Sequence, residues 1–192
     1  KNAVKTTIVE FHAKGIPLFV PRHTTIPRFK QVSKIIVITG PRRAGKTYLL
    51  YAAMHALIQE GKKIEDILYL NFENERIVGI QSSQLHEIID AYHELYPNRT
   101  PILFFDEIQN VTGWEKFIRR LHDENYFIHI TGSNSKLLSK EIATSLRGRE
   151  YVIQILPFSF LEFLDAKKIK LEQHWEFKKK KSEIKKFFDE YV

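Results

Sequence analysis

Residues 40 to 47 read Gly-Pro-Arg-Arg-Ala-Gly-Lys-Thr. Two glycines, a lysine and a hydroxyl residue at these spacings satisfy the G-x-x-x-x-G-K-[ST] pattern of a phosphate-binding loop. At average composition a chain of this length meets the pattern by chance roughly once in a hundred. The flanks supply the structure that the motif requires. Ile35-Ile36-Val37-Ile38-Thr39 is an apolar, β-branched run, short enough for a strand buried on both faces. Tyr48 to Ile58 is helix-forming, with Gly61 as a C-terminal stop. Strand, glycine-rich turn and helix in that order commit the chain to an α/β arrangement.

The same order sets the chemistry of the loop. Backbone N–H groups of residues 42 to 47 can wrap a phosphate, the helix N-terminus adds positive potential, and the glycines allow close approach. The expected nucleotide contacts are Gly40, Pro41, Arg42, Arg43, Ala44, Gly45, Lys46, Thr47 and Tyr48. Lys46 would reach the β- and γ-phosphate oxygens, and Thr47 would place its hydroxyl on Mg²⁺.

Beyond the loop, strand and helix patterns alternate. Residues 66 to 72, 101 to 105, 127 to 131 and 151 to 155 read as further strands. Leu85, Ile88, Ile89, Tyr92 and Leu95 share one helix face, as do Trp114, Phe117, Ile118 and Leu121. Such alternation predicts a three-layer α/β/α fold with a mainly parallel, five-stranded sheet and its ligand at the carboxyl ends of the strands. Three of the seven prolines (Pro17, Pro21 and Pro27) fall near the start, so residues 1 to 33 are expected to be an irregular lead-in, and residues 34 to 165 the core. Ile184, Phe187, Phe188 and Tyr191 form the apolar stripe of a final helix beside the run Lys178 to Lys181, which reads as a solvated face, with nucleic-acid contact as the alternative.

Composition narrows the classes. The 192 residues suffice for one substantial core. The absence of cysteine excludes a disulfide framework, a thiolate zinc site and a cysteine nucleophile. None of the eight histidines forms a metal-ligand pair, so the only expected metal arrives with the nucleotide. There is no run of 18 apolar residues and no signal-peptide pattern at the start, which predicts a cytoplasmic protein with no membrane partner. The net charge of +7 suits a polyanionic partner, but a nucleotide and a charged surface account for it almost as well.

Phosphoryl transfer asks for positioning and charge neutralisation, and this directs attention to Asp106 and Glu107, after the strand at 101 to 105. Asp106 would bind Mg²⁺ through its water shell, and Glu107 would polarise the attacking water as general base. An adjacent Asp-Glu pair resembles the branch of P-loop NTPases in which an extra strand separates the loop strand from the acidic strand. That branch favours adenine nucleotides, and no N/T-K-x-D guanine motif occurs. The strand at 127 to 131 leads into Thr131-Gly132-Ser133-Asn134-Ser135, which resembles the sensor 1 position of AAA+ proteins, with Ser133 or Asn134 as the polar contact, or Ser133 or Ser135 as a helix cap. Asn71 is a candidate to restrain Glu107. Arg147 and Arg149 are candidates for an arginine finger, or for surface ion pairs.

Taken together, Gly-Pro-Arg-Arg-Ala-Gly-Lys-Thr, Leu-Phe-Phe-Asp-Glu-Ile-Gln, Thr-Gly-Ser-Asn-Ser, and Ser-Leu-Arg-Gly-Arg with Leu-Pro-Phe-Ser-Phe-Leu-Glu-Phe after it resemble the prokaryotic and archaeal AAA+-type ATPases related to the STAND NTPases. The resemblance covers about residues 22 to 165. It implies the AAA+/ASCE form of the P-loop NTPase fold, ATP and Mg²⁺ as cofactors, and Arg147 or Arg149 near the finger region, facing the γ-phosphate of the same chain or, in trans, of a neighbouring copy. Members of this family continue into a helical lid and a winged-helix or nuclease-like domain. Residues 166 to 192 are therefore expected to begin such a lid, and DNA contact is expected to belong to a C-terminal domain beyond it. Three functions fit: an ATPase driving a partner, a slowly hydrolysing nucleotide switch, and an ATP-regulated DNA-binding protein.

Overall fold

The computed structural model describes residues 1–27, 34–132, 146, 148–169 and 181–191. Five strands form one parallel sheet: β1 (Ile35–Thr39), β2 (Ile67–Asn71), β3 (Ile102–Asp106), β4 (Ile128–Gly132) and β5 (Glu150–Gln154), in the order β2-β3-β4-β1-β5. β4 therefore lies between the loop strand β1 and the acidic strand β3, as the Asp-Glu pair suggested. Each strand is five residues long, and every residue of β1, β3 and β4 is buried. Burial on both faces explains why these segments read as continuous rather than alternating apolar runs.

Alternate strand residues build two cores. Ile35, Val37, Leu68, Leu70, Leu103, Phe105, Ile128 and Ile130 face α3 (His86–Leu95) and α4 (Trp114–Asp123). Ile36, Ile38, Ile67, Tyr69, Ile102 and Phe104 pack with Leu49, Leu50, Met54 and Leu57 of α2 (Lys46–Gln59). The second face matters for function, because Asp106 and Thr131 come two residues after Phe104 and His129 and so point to the α2 side.

The first residues depart from the expected lead-in. Asn2–Lys14 is a helix, α1, with Val4, Thr7 and Ile8 buried, and only the stretch after Gly15 is irregular. Val4 and Ile8 join the α3/α4 core while Phe11 packs at the other face, so α1 covers the β2 edge of the sheet. His12 ties it there: Nε2–H donates to the Ile67 carbonyl at 2.8 Å, and Nδ1 accepts from the Tyr96 hydroxyl at 2.8 Å. Covering an edge removes a row of unpaired backbone groups. After β5 come α5 (Phe160–Ala166), opened by a Ser159–Glu162 capping box, and α6 (Lys181–Tyr191), whose Ile184 is buried. Lys178 to Lys180 lie outside the described residues.

Candidate nucleotide site

The phosphate loop leaves β1 at Thr39 and enters α2 at Lys46. Its shape depends on two glycines. A Cβ on Gly40 would stand 2.3 Å from the Ile155 carbonyl oxygen, because the Ile155 N–H donates to Thr39 O and holds the residue after β5 against the loop. Gly45, the N-cap of α2, has φ 91°, in the left-handed region that residues with side chains disfavour. Arg43 is also left-handed, at φ 62°. This path aims the first N–H groups of α2, which have no partner within the helix, into the mouth of the loop. Lys46 lies beneath it, 4 % exposed, donating to Pro41 O at 3.2 Å and Gly40 O at 3.4 Å.

Across from the loop, Asp106 closes β3 and is fully buried. Three hydroxyls on three different elements donate to its carboxylate. Thr47 of α2 reaches Oδ2 at 2.8 Å, Tyr69 of β2 reaches Oδ2 at 3.1 Å, and Thr131 of β4 holds Oδ1. Burial raises the Asp106 pKa, and the neighbouring Glu107 charge adds to that. The Thr131, Thr47 and Tyr69 hydrogen bonds oppose the rise. Thr47, at the loop, and Asp106, buried behind it, are adjacent hard oxygen donors. They fit Mg²⁺, which commonly takes one or two protein oxygens and completes its shell with phosphate and water. Among the described residues, no group of three or more His, Cys, Asp or Glu side chains is arranged to hold a metal ion.

Glu107 comes next, in a left-handed conformation at φ 53°, and is buried. Its N–H donates to Thr131 Oγ1 at 3.0 Å, so a single hydroxyl fixes both acidic residues. Its carboxylate accepts from Gln109 Nε2 at 2.6 Å and lies 3.5 Å from Lys46 Nζ. Asn71, the sequence candidate for restraining Glu107, instead accepts from the Glu73 N–H at 2.8 Å, an Asx turn at the end of β2.

A cavity of about 680 Å³ opens beside the loop. Its polar lining includes Lys46, Thr47 and Glu107, and its apolar lining Leu18, Phe19, Val20, Tyr48 and Phe158. Its size is that of a small-molecule site with convergent polar groups. The apolar wall escaped the sequence reading, although Leu18-Phe19-Val20 between Pro17 and Pro21 is an extended apolar tripeptide. Arg22 assembles it. The guanidinium sits 4.6 Å above the Phe158 ring, donates to Ala44 O at 2.7 Å and to Leu156 O at 2.8 Å, and forms a fork with Glu162 at 2.8 and 3.2 Å. Both side chains are only 6 % exposed. Burial alone would raise the Glu162 pKa. Arg22 and the N–H groups of Ser159 and His23 outweigh it and hold the carboxyl down at about 2.

The remaining candidates divide. Pro41, Arg42 and Arg43 are exposed, and Arg43 and Tyr48 line the cavity. Arg149 does not approach its own loop. Glu150 pairs with Ile35 at the amino ends of two parallel strands, which puts Arg149 about 16 Å, five residues of strand, from the carboxyl ends. Its Nε lies 3.5 Å from Asp123. Ser133, Asn134 and Arg147 fall outside the described residues. No helix among the described residues is long and apolar enough to cross a membrane.

Comparison with known proteins gives a family that this geometry suits. The AAA domain profile matches residues 32–164. An uncharacterised protein of Methanocaldococcus jannaschii is 44 % identical over 160 residues, covering 83 % of this chain and 34 % of the relative. One from Haemophilus influenzae is 43 % identical over 145 residues, covering 74 % and 36 %. The chromosomal replication initiator protein DnaA of Campylobacter jejuni is 29 % identical over 125 residues, covering 59 % and 26 %. The chain thus spans about a third of the length of the two more similar relatives.

Proposed function

The chain belongs to the AAA domain family, and from that premise we propose that it binds ATP with Mg²⁺ and hydrolyses it, coupling the nucleotide state to a partner. One observation carries the proposal: Lys46, Thr47 and Glu107, drawn from two distant stretches of sequence, line a single cavity that also has an apolar lining suited to a base, and Asp106 is hydrogen-bonded directly behind Thr47.

In this reading the first turn of α2 and Lys46 hold the β- and γ-phosphates. Thr47 and Asp106 hold the cation, which supplies charge neutralisation at the phosphate oxygens. Glu107 accepts a proton from water as that oxygen bonds to the γ-phosphorus, and the bond to the bridging oxygen of ADP breaks. Leu18, Phe19, Val20 and Phe158 exclude water around the base. The positive charge needed opposite Lys46 would come from Arg147 or from a neighbouring copy, with Arg149 restricted to the second route by its position at the far end of β5.

A second reading, the slowly hydrolysing switch, draws on a separate observation. Glu107 is already held by Gln109 at 2.6 Å and faces Lys46, a restrained base rather than a free one. Steady-state turnover with and without Glu107→Gln separates the two. Sustained hydrolysis abolished by the substitution supports the ATPase, whereas tight ATP binding with negligible wild-type turnover supports the switch.

A further inference from the structure

The buried carboxylate at the metal position is held by a phenol that belongs to none of the phosphate-binding motifs. Tyr69 lies in the middle of β2, two residues before the Asn71–Asp106 pair of the β2/β3 ladder, and is 8 % exposed. Its ring is wedged between Phe11 of α1, 4.8 Å between centroids, and Tyr51 of α2, 5.6 Å. Packing on both sides fixes where the hydroxyl points: to Asp106 Oδ2 at 3.1 Å, with Tyr51 OH 3.3 Å away. A carboxylate oxygen accepts, so the Tyr69 hydroxyl is the donor in this pair.

The carboxylate is therefore gripped from both flanking strands. Thr131 on β4 takes Oδ1 and Tyr69 on β2 takes Oδ2, while Thr47, the third donor, is itself a candidate cation ligand. Only the two strand hydroxyls are left to orient Asp106 once Thr47 turns to an ion. Removing a group that orients a metal ligand in this way typically weakens metal binding roughly 10- to 100-fold.

We propose that Tyr69 is a positioning residue for the divalent cation that accompanies the nucleotide, its hydroxyl holding the Asp106 carboxylate in the orientation that the ion requires. The inference rests on the reading of the site as a cation-assisted nucleotide site. It also gives α1 a task beyond covering an edge, since Phe11 is one of the two rings that fix Tyr69.

The test is a titration with Mn²⁺ as probe, monitored by its electron paramagnetic resonance signal, on the chain saturated with ADP. Tyr69→Phe keeps the ring and removes one oxygen. The expected result is Mn²⁺ binding weakened about tenfold or more, with ADP affinity in excess EDTA within twofold of wild type. Tyr51→Phe, which leaves the Asp106 contacts in place, should bind Mn²⁺ within twofold of wild type. A purely structural role for Tyr69 would lower the melting temperature and leave the Mn²⁺ constant alone. An unchanged Mn²⁺ constant in Tyr69→Phe, with wild type binding the ion, overturns the inference and spares the nucleotide site. Failure of the wild-type chain to bind Mn²⁺ with ADP removes the premise and the inference together.

Discussion

The Thr47 hydroxyl donates to Asp106 Oδ2 at 2.8 Å across 59 residues of sequence, joining the start of α2 to the end of β3. The two protein oxygens proposed to hold a nucleotide-borne cation are therefore adjacent. Thr47→Ala should leave ADP affinity in EDTA within twofold and remove most of the gain on adding Mg²⁺. Calorimetric titrations with and without Mg²⁺ check this, and an undiminished Mg²⁺ effect would separate Thr47 from the cation.

Gln109 holds the proposed base at 2.6 Å. A hydrogen bond to a charged group contributes about 1.5–3 kcal/mol. If that bond restrains Glu107, Gln109→Ala should raise the single-turnover hydrolysis rate by about tenfold without tightening ATP binding. A fall in rate would mean that Gln109 positions Glu107 for catalysis instead.

Gly40 has no room for a side chain. Its Cβ would meet a backbone oxygen at 2.3 Å, and that carbonyl is fixed by the Ile155–Thr39 hydrogen bond. Gly40→Ala should cost about 2 kcal/mol or more, a fall in melting temperature of at least about 4 °C for a chain of this size, along with nucleotide binding. Thermal denaturation and an ADP titration on the same sample check both.

The Arg22–Glu162 pair gives a pH signature. Glu162 titrates at about 2 in the fold against an ordinary value of 4.5, so its contribution to stability is fully present above about 4.5 and is lost as pH falls through about 2. Urea unfolding should show wild type well above Glu162→Gln at pH 6, with the gap closing below pH 4. Arg22→Ala at neutral pH leaves a buried carboxylate unpaired and should cost about 3–5 kcal/mol. A pH-independent gap between wild type and Glu162→Gln would contradict the pairing.

What was legible in the sequence was local. The loop at 40 to 47 with its strand and helix, and the pair Asp106-Glu107, are each contiguous, and the parallel sheet came from the alternation of strand and helix patterns. α1 was hidden because its stripe of Val4, Thr7, Ile8 and Phe11 is interrupted by a polar residue and precedes three prolines, which drew the whole segment into an irregular reading. The apolar wall of the cavity was illegible for another reason. Leu18 to Val20 meet Phe158 only because Arg22 reaches Glu162, 140 residues away. Tyr69 and Thr131 look like ordinary strand residues, and strand register alone brings their hydroxyls to Asp106.

The central claim is that the loop and its cavity form one site for a nucleotide. Isothermal titration of ATP with Mg²⁺ into the wild-type chain and into Lys46→Ala tests it most directly. A single saturable site is expected in the wild type, competed by ADP and lost or weakened at least about 100-fold in Lys46→Ala, with the fold of the variant intact by circular dichroism. No binding by the wild type, or equal binding by a folded Lys46→Ala, would contradict it.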